Sequence, residues 1–444
     1  MSRMPPNVVD AFSHKLLSAV TQVDTADKHG RVVSAVGTLV RARGVNARVG
    51  ELCLLSTLGG DFQMHAEVAG FDGDDLLLTP MGDILGLSSN LAVMPLGHMH
   101  RLPLGDAMLG KVFDGFGNPM DRTLKLDLPA LRGVHARAPA AQDRPVIGRV
   151  LPLGIRAIDA FITCGQGQRL GIFSPAGCGK STLLGMVARH AVSDVNVIAL
   201  IGERGREVNE FIADCLGPQG LARSVLVVAT SDRPALERVR AAQVATTIAE
   251  HFRDQGRSVL LLVDSVTRYA RALREIGLAC GEPQTRRAYP PSVFSALPRL
   301  FERAGVTRHG VITGFYTVLE ESDDGNDPVA EEVRSLLDGH IVLSRELAAL
   351  GQYPAIDVLR SVSRLMPRLC DPNHQARAAT ARARLARYGE LEMLIRMGEY
   401  KAGNDAEADA AVRSRPGLLN FLKQPPQERA PYDAMLNQLR EVTP

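Results

Sequence analysis

The chain has no tryptophan, and phenylalanine and tyrosine bring its aromatic content to only 5%. The first 100 residues hold Phe12, Phe62 and Phe71 and no tyrosine. Barrels that bind single-stranded nucleic acid rely on aromatic stacking platforms beside a basic groove, so this stretch argues against that role. Charge of one sign is also missing: the net charge is +2 over 444 residues, too small for a global field that would draw in nucleic acid or anionic lipid. The cysteines at 53, 164, 178, 215, 280 and 370 include no Cys-x-x-Cys pair, which argues against a disulfide framework and fits reduced thiols in a cytosol. No apolar run approaches the ~18 residues of a membrane-spanning helix, and the N-terminus lacks the apolar core of a secretory signal. The expectation is a cytoplasmic protein, at most peripheral to a membrane. With 45% apolar and 23% charged residues, the chain can bury sizeable cores, and its length corresponds to about three domains.

Lysine is scarce as well. Arginine carries almost all the positive charge, and Lys180 is the single lysine between Lys125 and Lys401. It stands in Gly177-Cys178-Gly179-Lys180-Ser181-Thr182, where a compact ammonium on a flexible stem can fold over a phosphate as a planar guanidinium cannot. Gln168 to Phe173 reads as a short buried strand and Ser181 to Ala188 as the first turns of an apolar-faced helix. This is the strand, loop and helix context that a P-loop requires. Glycines 177 and 179 let backbone N–H groups turn inward around a β-phosphate, and the helix N-terminus adds its positive end. Lys180 would span the β- and γ-phosphates of ATP, and the Ser181 hydroxyl would ligate Mg²⁺. The loop departs from the usual pattern at its first position, where Ser174 replaces glycine, followed by Pro175 and Ala176. Cys178 reads as an oxidation-sensitive thiol or, more simply, as a small residue tolerated in the loop.

Texture along the chain divides it at about residues 95 and 365. Val8, Val9, Phe12, Leu16, Val20 and Val23 recur at helical spacing after Pro5-Pro6, predicting an amphipathic N-terminal helix. Short β-type runs follow (Val32 to Val40, Glu51 to Leu55, His65 to Phe71, Asp75 to Thr79), broken by Gly, Asn and Asp turns; that spacing predicts a small barrel from about Arg31 to Pro95, which with the helix makes an oligomerisation domain over 1–95. Residues 96 to about 145 are rich in Gly and Pro and read as a connection. Strands and helices then alternate to about 365, as in a doubly wound α/β core, and 366–444 reads as helical.

Two carboxylates give the P-loop a chemistry. Ser258 to Asp264 is an apolar strand ending in an acid, the Walker B pattern, in which Asp264 would hold Mg²⁺ beside Ser181. The run Val195 to Ile201 ends in Gly202-Glu203-Arg204-Gly205-Arg206-Glu207, placing Glu203 at the sheet edge where ligands bind in open α/β folds. Glu203 is the candidate for orienting an attacking water; the competing reading is a surface ion pair with Arg204 or Arg206.

Long blocks of the chain resemble a known family. Leu200 to Val208 (LIGERGREV), Leu260 to Pro283, Thr285 to Gly305, Ile341 to Arg345 and Tyr353 to Arg364 are similar to the hexameric secretion ATPases related to the catalytic head of rotary ATP synthases. Val227 to Pro234 and Thr285-Arg286-Arg287 resemble the injectisome branch of type III secretion more than its flagellar counterpart. The resemblance implies a RecA-like P-loop core with an N-terminal small β-barrel and a C-terminal helical domain. It also implies an adenine-stacking role for Tyr353 and an arginine finger at Arg364 that reaches the neighbouring subunit's site. Because Lys180, Glu203 and Arg364 occur in one chain, it implies a homohexamer whose sites are completed on assembly. Arg204 becomes a γ-phosphate contact or a structural partner of Glu207. The implied partners are a central stalk protein, a stator protein, an export gate and chaperone–effector complexes, at the cytoplasmic face of the inner membrane. In the family, the segment corresponding to Glu320 to Asp327 faces the central pore; a solvated loop is the simpler reading. Two rivals stand beside this one: a hexameric nucleic-acid translocase and a nucleotide-binding scaffold that does not turn over ATP.

Overall fold

The computed structural model describes residues 29–57, 61–320 and 327–443. The predicted N-terminal helix over Val8 to Val23 and most of the acidic stretch after Glu320 lie outside the described residues. The chain forms two compact units that meet between Met99 and His100.

The first unit is a closed barrel of six strands, β1 (Gly30–Val36), β2 (Leu39–Arg43), β3 (Glu51–Ser56), β4 (Gln63–Asp72), β5 (Asp75–Pro80) and β6 (Ala92–Met99), in the order β1-β2-β5-β4-β3-β6. The run Val32 to Val40, which reads as one strand in sequence, is two: the chain reverses at Gly37, whose φ of 61° is left-handed and favours glycine. β6 carries Pro95 and Gly97 within it, which weaken its strand signature in the sequence. The interior is filled by alternating apolar side chains, among them Val32, Val40, Cys53, Leu55, Ala66, Val68, Leu78 and Val93. Closure leaves no unpaired edge strand. Across the β2–β5 seam, Arg43 Nε lies 2.6 Å from Asp75 Oδ1.

The second unit is built on a mostly parallel sheet. Two strands, β7 (Arg101–Leu104) and β9 (Ala130–Gly133), pair with each other, while β8 (Val112–Asp114) joins the main sheet beside β12 (Ser224–Ala229). The Gly- and Pro-rich connection therefore supplies an edge strand. The other members are β10 (Arg169–Ser174), β11 (Val195–Ile201), β13 (Ser258–Asp264), β15 (Val311–Leu319), β16 (Gly339–Val342) and β17 (Val362–Ser363), with β14 (Gly305–Val306) paired to β15. The order is β17-β16-β10-β15-β13-β11-β12-β8, and only β14 and β17 run antiparallel to their neighbours. The central strands are continuous apolar runs because both faces are covered. One face packs against helices Ala235–Asp254, Val266–Ala279 and Pro291–Phe301. The other packs against Arg156–Phe161, Lys180–His190 and the tail helices Pro372–Met397, Ala406–Leu422 and Tyr432–Val442. The first two tail helices begin at Asp371 and Asp405, whose carboxylates accept from backbone N–H groups of their first turns, as N-caps do.

A buried ion pair locks the first face. Arg303 donates to Glu250 through Nε (2.8 Å) and Nη2 (2.7 Å), to Thr247 Oγ1 (2.8 Å) and to the Val134 carbonyl (3.0 Å), and both charged side chains are almost fully buried. Removing one partner strands the other charge, which costs about 3–5 kcal/mol, whereas replacing both with apolar residues is close to neutral. Arg303→Met is accordingly expected to lower the denaturant midpoint strongly, and the double variant with Glu250→Met to recover most of it. Equal losses in the single and double variants would show that packing, not charge, sets the cost.

Candidate functional site

The parallel order brings the C-terminal ends of β10, β11 and β13 to one edge, and each ends in, or within two residues of, a residue of the candidate site. β10 runs into Ser174, a buried residue whose hydroxyl donates to the Pro175 carbonyl at 2.7 Å. The loop Pro175 to Gly179 then leads to the helix that begins at Lys180. Gly177 and Gly179 both have φ of 81°, a left-handed conformation that turns their neighbours' N–H groups toward the loop's interior. Ala176, Gly177, Ser181 and Thr182 are exposed, while Cys178 faces the core at 2% exposure. Burial pushes the Cys178 thiol above its ordinary range, with Arg345 opposing, so the thiol is protonated and poorly nucleophilic.

Lys180 Nζ lies 2.5 Å from Asp264 Oδ1 and 3.1 Å from Glu203 Oε1. Asp264 closes β13 and Glu203 follows β11, so three strands deliver one ammonium and two carboxylates to hydrogen-bonding distance. Burial disfavours the charged amine, but Asp264 and Glu203 outweigh it and the Lys180 pKa is raised. Glu203 behaves oppositely to an ordinary paired acid. Burial raises its pKa, the charge of Asp264 raises it further, and Lys180 only partly compensates. The site thus holds a cation kept charged and a carboxyl poised above the usual range, the separation expected where a group must exchange hydrogen bonds with a reacting water.

A second group on Asp264 is legible only in the fold. Thr317 Oγ1 donates to Asp264 Oδ1 at 2.6 Å. It sits on β15, the strand inserted between β10 and β13, and fixes the carboxylate's orientation. Arg268 is a second such residue: its stem packs on Gly202, immediately before Glu203, and its Nε is buried without a hydrogen-bond partner. In the chain Arg268 stands one turn beyond Asp264, and only the phase of the helix Val266–Ala279 aims it at Gly202.

The remaining candidates divide. The ring of Tyr353 lies against the P-loop, 3.6 Å from where a Cβ on Gly179 would stand; it is half exposed, and Gln424 N–H donates to its carbonyl at 2.9 Å. Gln424 also accepts from Arg156 N–H (2.8 Å) and donates to the Gly154 carbonyl (2.7 Å), so the tail helps hold the tyrosine's loop. Arg204 is largely exposed, with Nε 3.9 Å from Glu207 Oε1. Arg364 is exposed beyond β17, and its hydrogen bonds go to the carbonyls of Arg334 (3.4 Å) and Asp338 (3.0 Å) rather than to Lys180, Glu203 or Asp264. A hydroxyl and a carboxylate, Ser181 and Asp264, form the hard oxygen donor set that suits Mg²⁺ when substrate phosphates supply further oxygens. Among the described residues no cluster of three or more His, Cys, Asp or Glu stands ready to hold a metal, and no helix is long and apolar enough to cross a membrane.

Three family models match the chain in order. Residues 32–97 match the β-barrel domain of the ATP synthase alpha/beta family, 154–363 its nucleotide-binding domain, and 370–441 the C-terminal domain of the type III secretion ATPase EscN. The type 3 secretion system ATPase of Xanthomonas euvesicatoria is 51% identical over 416 residues, covering 94% of each chain. The flagellum-specific ATP synthase of Bacillus subtilis is 44% identical over 432 residues, covering 97% of this chain and 99% of its own. Among solved structures, the assembled ATPase EscN of enteropathogenic E. coli superposes with a TM-score of 0.89 at 48% identity, over 94% of this chain and 100% of that one. EscN in complex with its central stalk EscO gives 0.87 at 47% identity, with the same coverage.

Proposed function

The chain belongs to the type III secretion ATPases, a family built on the ATP synthase alpha/beta plan, and from that footing we propose a mechanism and an assembly for it. It is an ATPase of type III protein secretion. The observation that carries the mechanism is the convergence of Lys180, Glu203 and Asp264 within hydrogen-bonding distance at the open edge of the sheet.

The phosphates of ATP rest on the N–H groups of the Pro175 to Thr182 loop, with Lys180 across the β- and γ-phosphates. Ser181 and Asp264 would hold Mg²⁺, which would neutralise charge on the phosphoryl oxygens. Glu203 orients the water for in-line attack, and Arg268 and Arg204 are placed to add positive charge near the γ-phosphate. Tyr353 stacks on adenine, an interaction worth ~1–3 kcal/mol. Arg364, exposed and hydrogen-bonded to Arg334 and Asp338 rather than to its own subunit's Lys180, Glu203 or Asp264, completes the neighbour's site as a finger. The unit is therefore a homohexamer with a barrel domain to residue 95, an ATPase domain to 365 and a helical domain beyond. Site closure is coupled to a central stalk, and from there to chaperone release, unfolding and export through a gate. A stator holds the ring at the cytoplasmic face of the inner membrane. The higher identity to the Xanthomonas relative than to the Bacillus one favours injectisome over flagellar duty.

The assembly is tested by ATPase rate per subunit against protein concentration. The expected rate rises with concentration and saturates as rings form; a rate independent of concentration, with the chain monomeric throughout, would mean that each subunit hydrolyses ATP on its own. The acid limb of kcat offers a second test. Glu203 must be ionised to act on water, and burial raises its pKa, so activity is expected to fall as pH drops while still above the ordinary glutamate range. An acid limb at or below pH ~4.5 would remove Glu203 from that role.

A further inference from the structure

Arg334 touches the machinery of two sites at once. It lies in the last turn of the helix Pro328–Leu336, with its guanidinium 4.4 Å from the centre of the Phe173 ring and ion-paired to Glu320. Both partners are attached to the first residue of the P-loop. Phe173 precedes Ser174 in β10, and Glu320 N–H donates to the Ser174 carbonyl at 3.1 Å. A cation over a desolvated aromatic face is held by the ring's quadrupole, so the arginine is pinned to this strand end by stacking and charge together.

The carbonyl of the same residue accepts from Arg364 Nη2 at 3.4 Å. Carbonyls in a helix's last turn lack intrahelical partners and carry the negative end of its dipole, which suits a guanidinium. The backbone of Arg364 is fixed independently. Its N–H donates to Asp338, whose carboxylate accepts from Arg169 N–H (3.0 Å) and Nε (3.1 Å). Ser363 accepts from Gln168 Nε2 and donates to the Thr163 carbonyl, both at 2.9 Å. The sheet thus anchors where the Arg364 side chain starts, and the turn pinned by Arg334 decides where its guanidinium rests.

We infer that Arg334 is a positioning residue that ties the placement of the Arg364 guanidinium to the P-loop of its own subunit, so that one site governs the finger offered to the next. The inference rests on the reading of Arg364 as a finger acting in the neighbouring subunit. Arg334→Ala frees the helix end without touching Lys180, Glu203 or Asp264. Its expected effect is a fall of about tenfold in kcat, since small misplacements of catalytic groups cost this much, with KM held within about twofold. Glu320→Gln breaks the ion pair but keeps the ring contact, and serves the same test should Arg334→Ala not fold.

Mixed rings separate the possibilities. If Arg334 acts through the finger, Arg334→Ala subunits recover activity when mixed with Lys180→Ala subunits, which lend an intact finger, and do not recover with Arg364→Ala subunits. The reverse pattern would place Arg334 in its own subunit's P-loop and overturn the inference, as would wild-type turnover of both Arg334→Ala and Glu320→Gln. Wild-type turnover of Arg364→Ala alone would instead remove the finger reading beneath it.

Discussion

Glu203→Gln is expected to lower kcat by about 10²–10⁴, the range for loss of a positioned proton acceptor, while leaving KM for ATP nearly unchanged. Glu203 lies 3.1 Å from Lys180, so its side chain is already at the ammonium that would contact the phosphates. The amide keeps that size and can still accept from Lys180, but it cannot take the protonation state a water-orienting carboxylate needs. In the proposed reading binding is carried mainly by the loop amides, Lys180 and Tyr353, none of which the substitution changes. Turnover and binding should therefore separate: fluorescent nucleotide titration gives a wild-type Kd while steady-state hydrolysis collapses. If hydrolysis survives within about threefold, water is oriented elsewhere, and Glu207 becomes the first residue to examine because it shares a side-chain hydrogen bond with Glu203. If binding collapses as well, Glu203 serves to hold Lys180 in place and the chemistry has been assigned to the wrong carboxylate.

What could be read from the sequence was what is local in it. Lys180, Ser181 and the loop glycines lie in a contiguous strand–loop–helix, and Asp264 ends an apolar run, so spacing alone locates them. Glu203 needed only the rule that ligands gather at the C-terminal edge of a parallel sheet. Thr317 could not be read because it follows from strand order. β15 comes after β13 in the chain but inserts between β10 and β13, and that insertion puts its hydroxyl 2.6 Å from Asp264. Gln424 is hidden for the same reason: it reaches Tyr353 and Gly154 from across the tail, a packing that no periodicity encodes. In the barrel, Val32 to Val40 misled because a seven-residue strand and its successor share one apolar texture, and only the left-handed Gly37 divides them. The adenine and finger roles of Tyr353 and Arg364 came from resemblance, and the geometry adds to each something that resemblance lacked: a ring against Gly179 and a guanidinium lodged on a helix end.

Arg364→Ala carries the largest expected loss, about 10³–10⁵ in kcat, the contribution of an arginine finger to phosphoryl transfer. Its physical basis is the exposure of the residue and the partners it has. Arg364 is exposed, its hydrogen bonds leave the P-loop side untouched, and the neighbouring Leu359 and Val362 are large apolar residues about half exposed. Exposed apolar residues beside an arginine make a surface suited to an adjacent subunit. The variant should then bind nucleotide and form rings as the wild type does, since no contact within the subunit's own site is lost. The decisive result is a mixture. Glu203→Ala subunits bring an intact finger and a dead site; Arg364→Ala subunits bring an intact site and no finger. Neither hydrolyses ATP alone, yet rings containing both place some Glu203 sites opposite an Arg364, and part of the activity is expected to return in proportion to such pairs. No recovery, with mixed rings verified by mass, would mean that Arg364 supports its own subunit instead. In that case the ring would be a scaffold for independent sites, and the shared-site motor would be wrong.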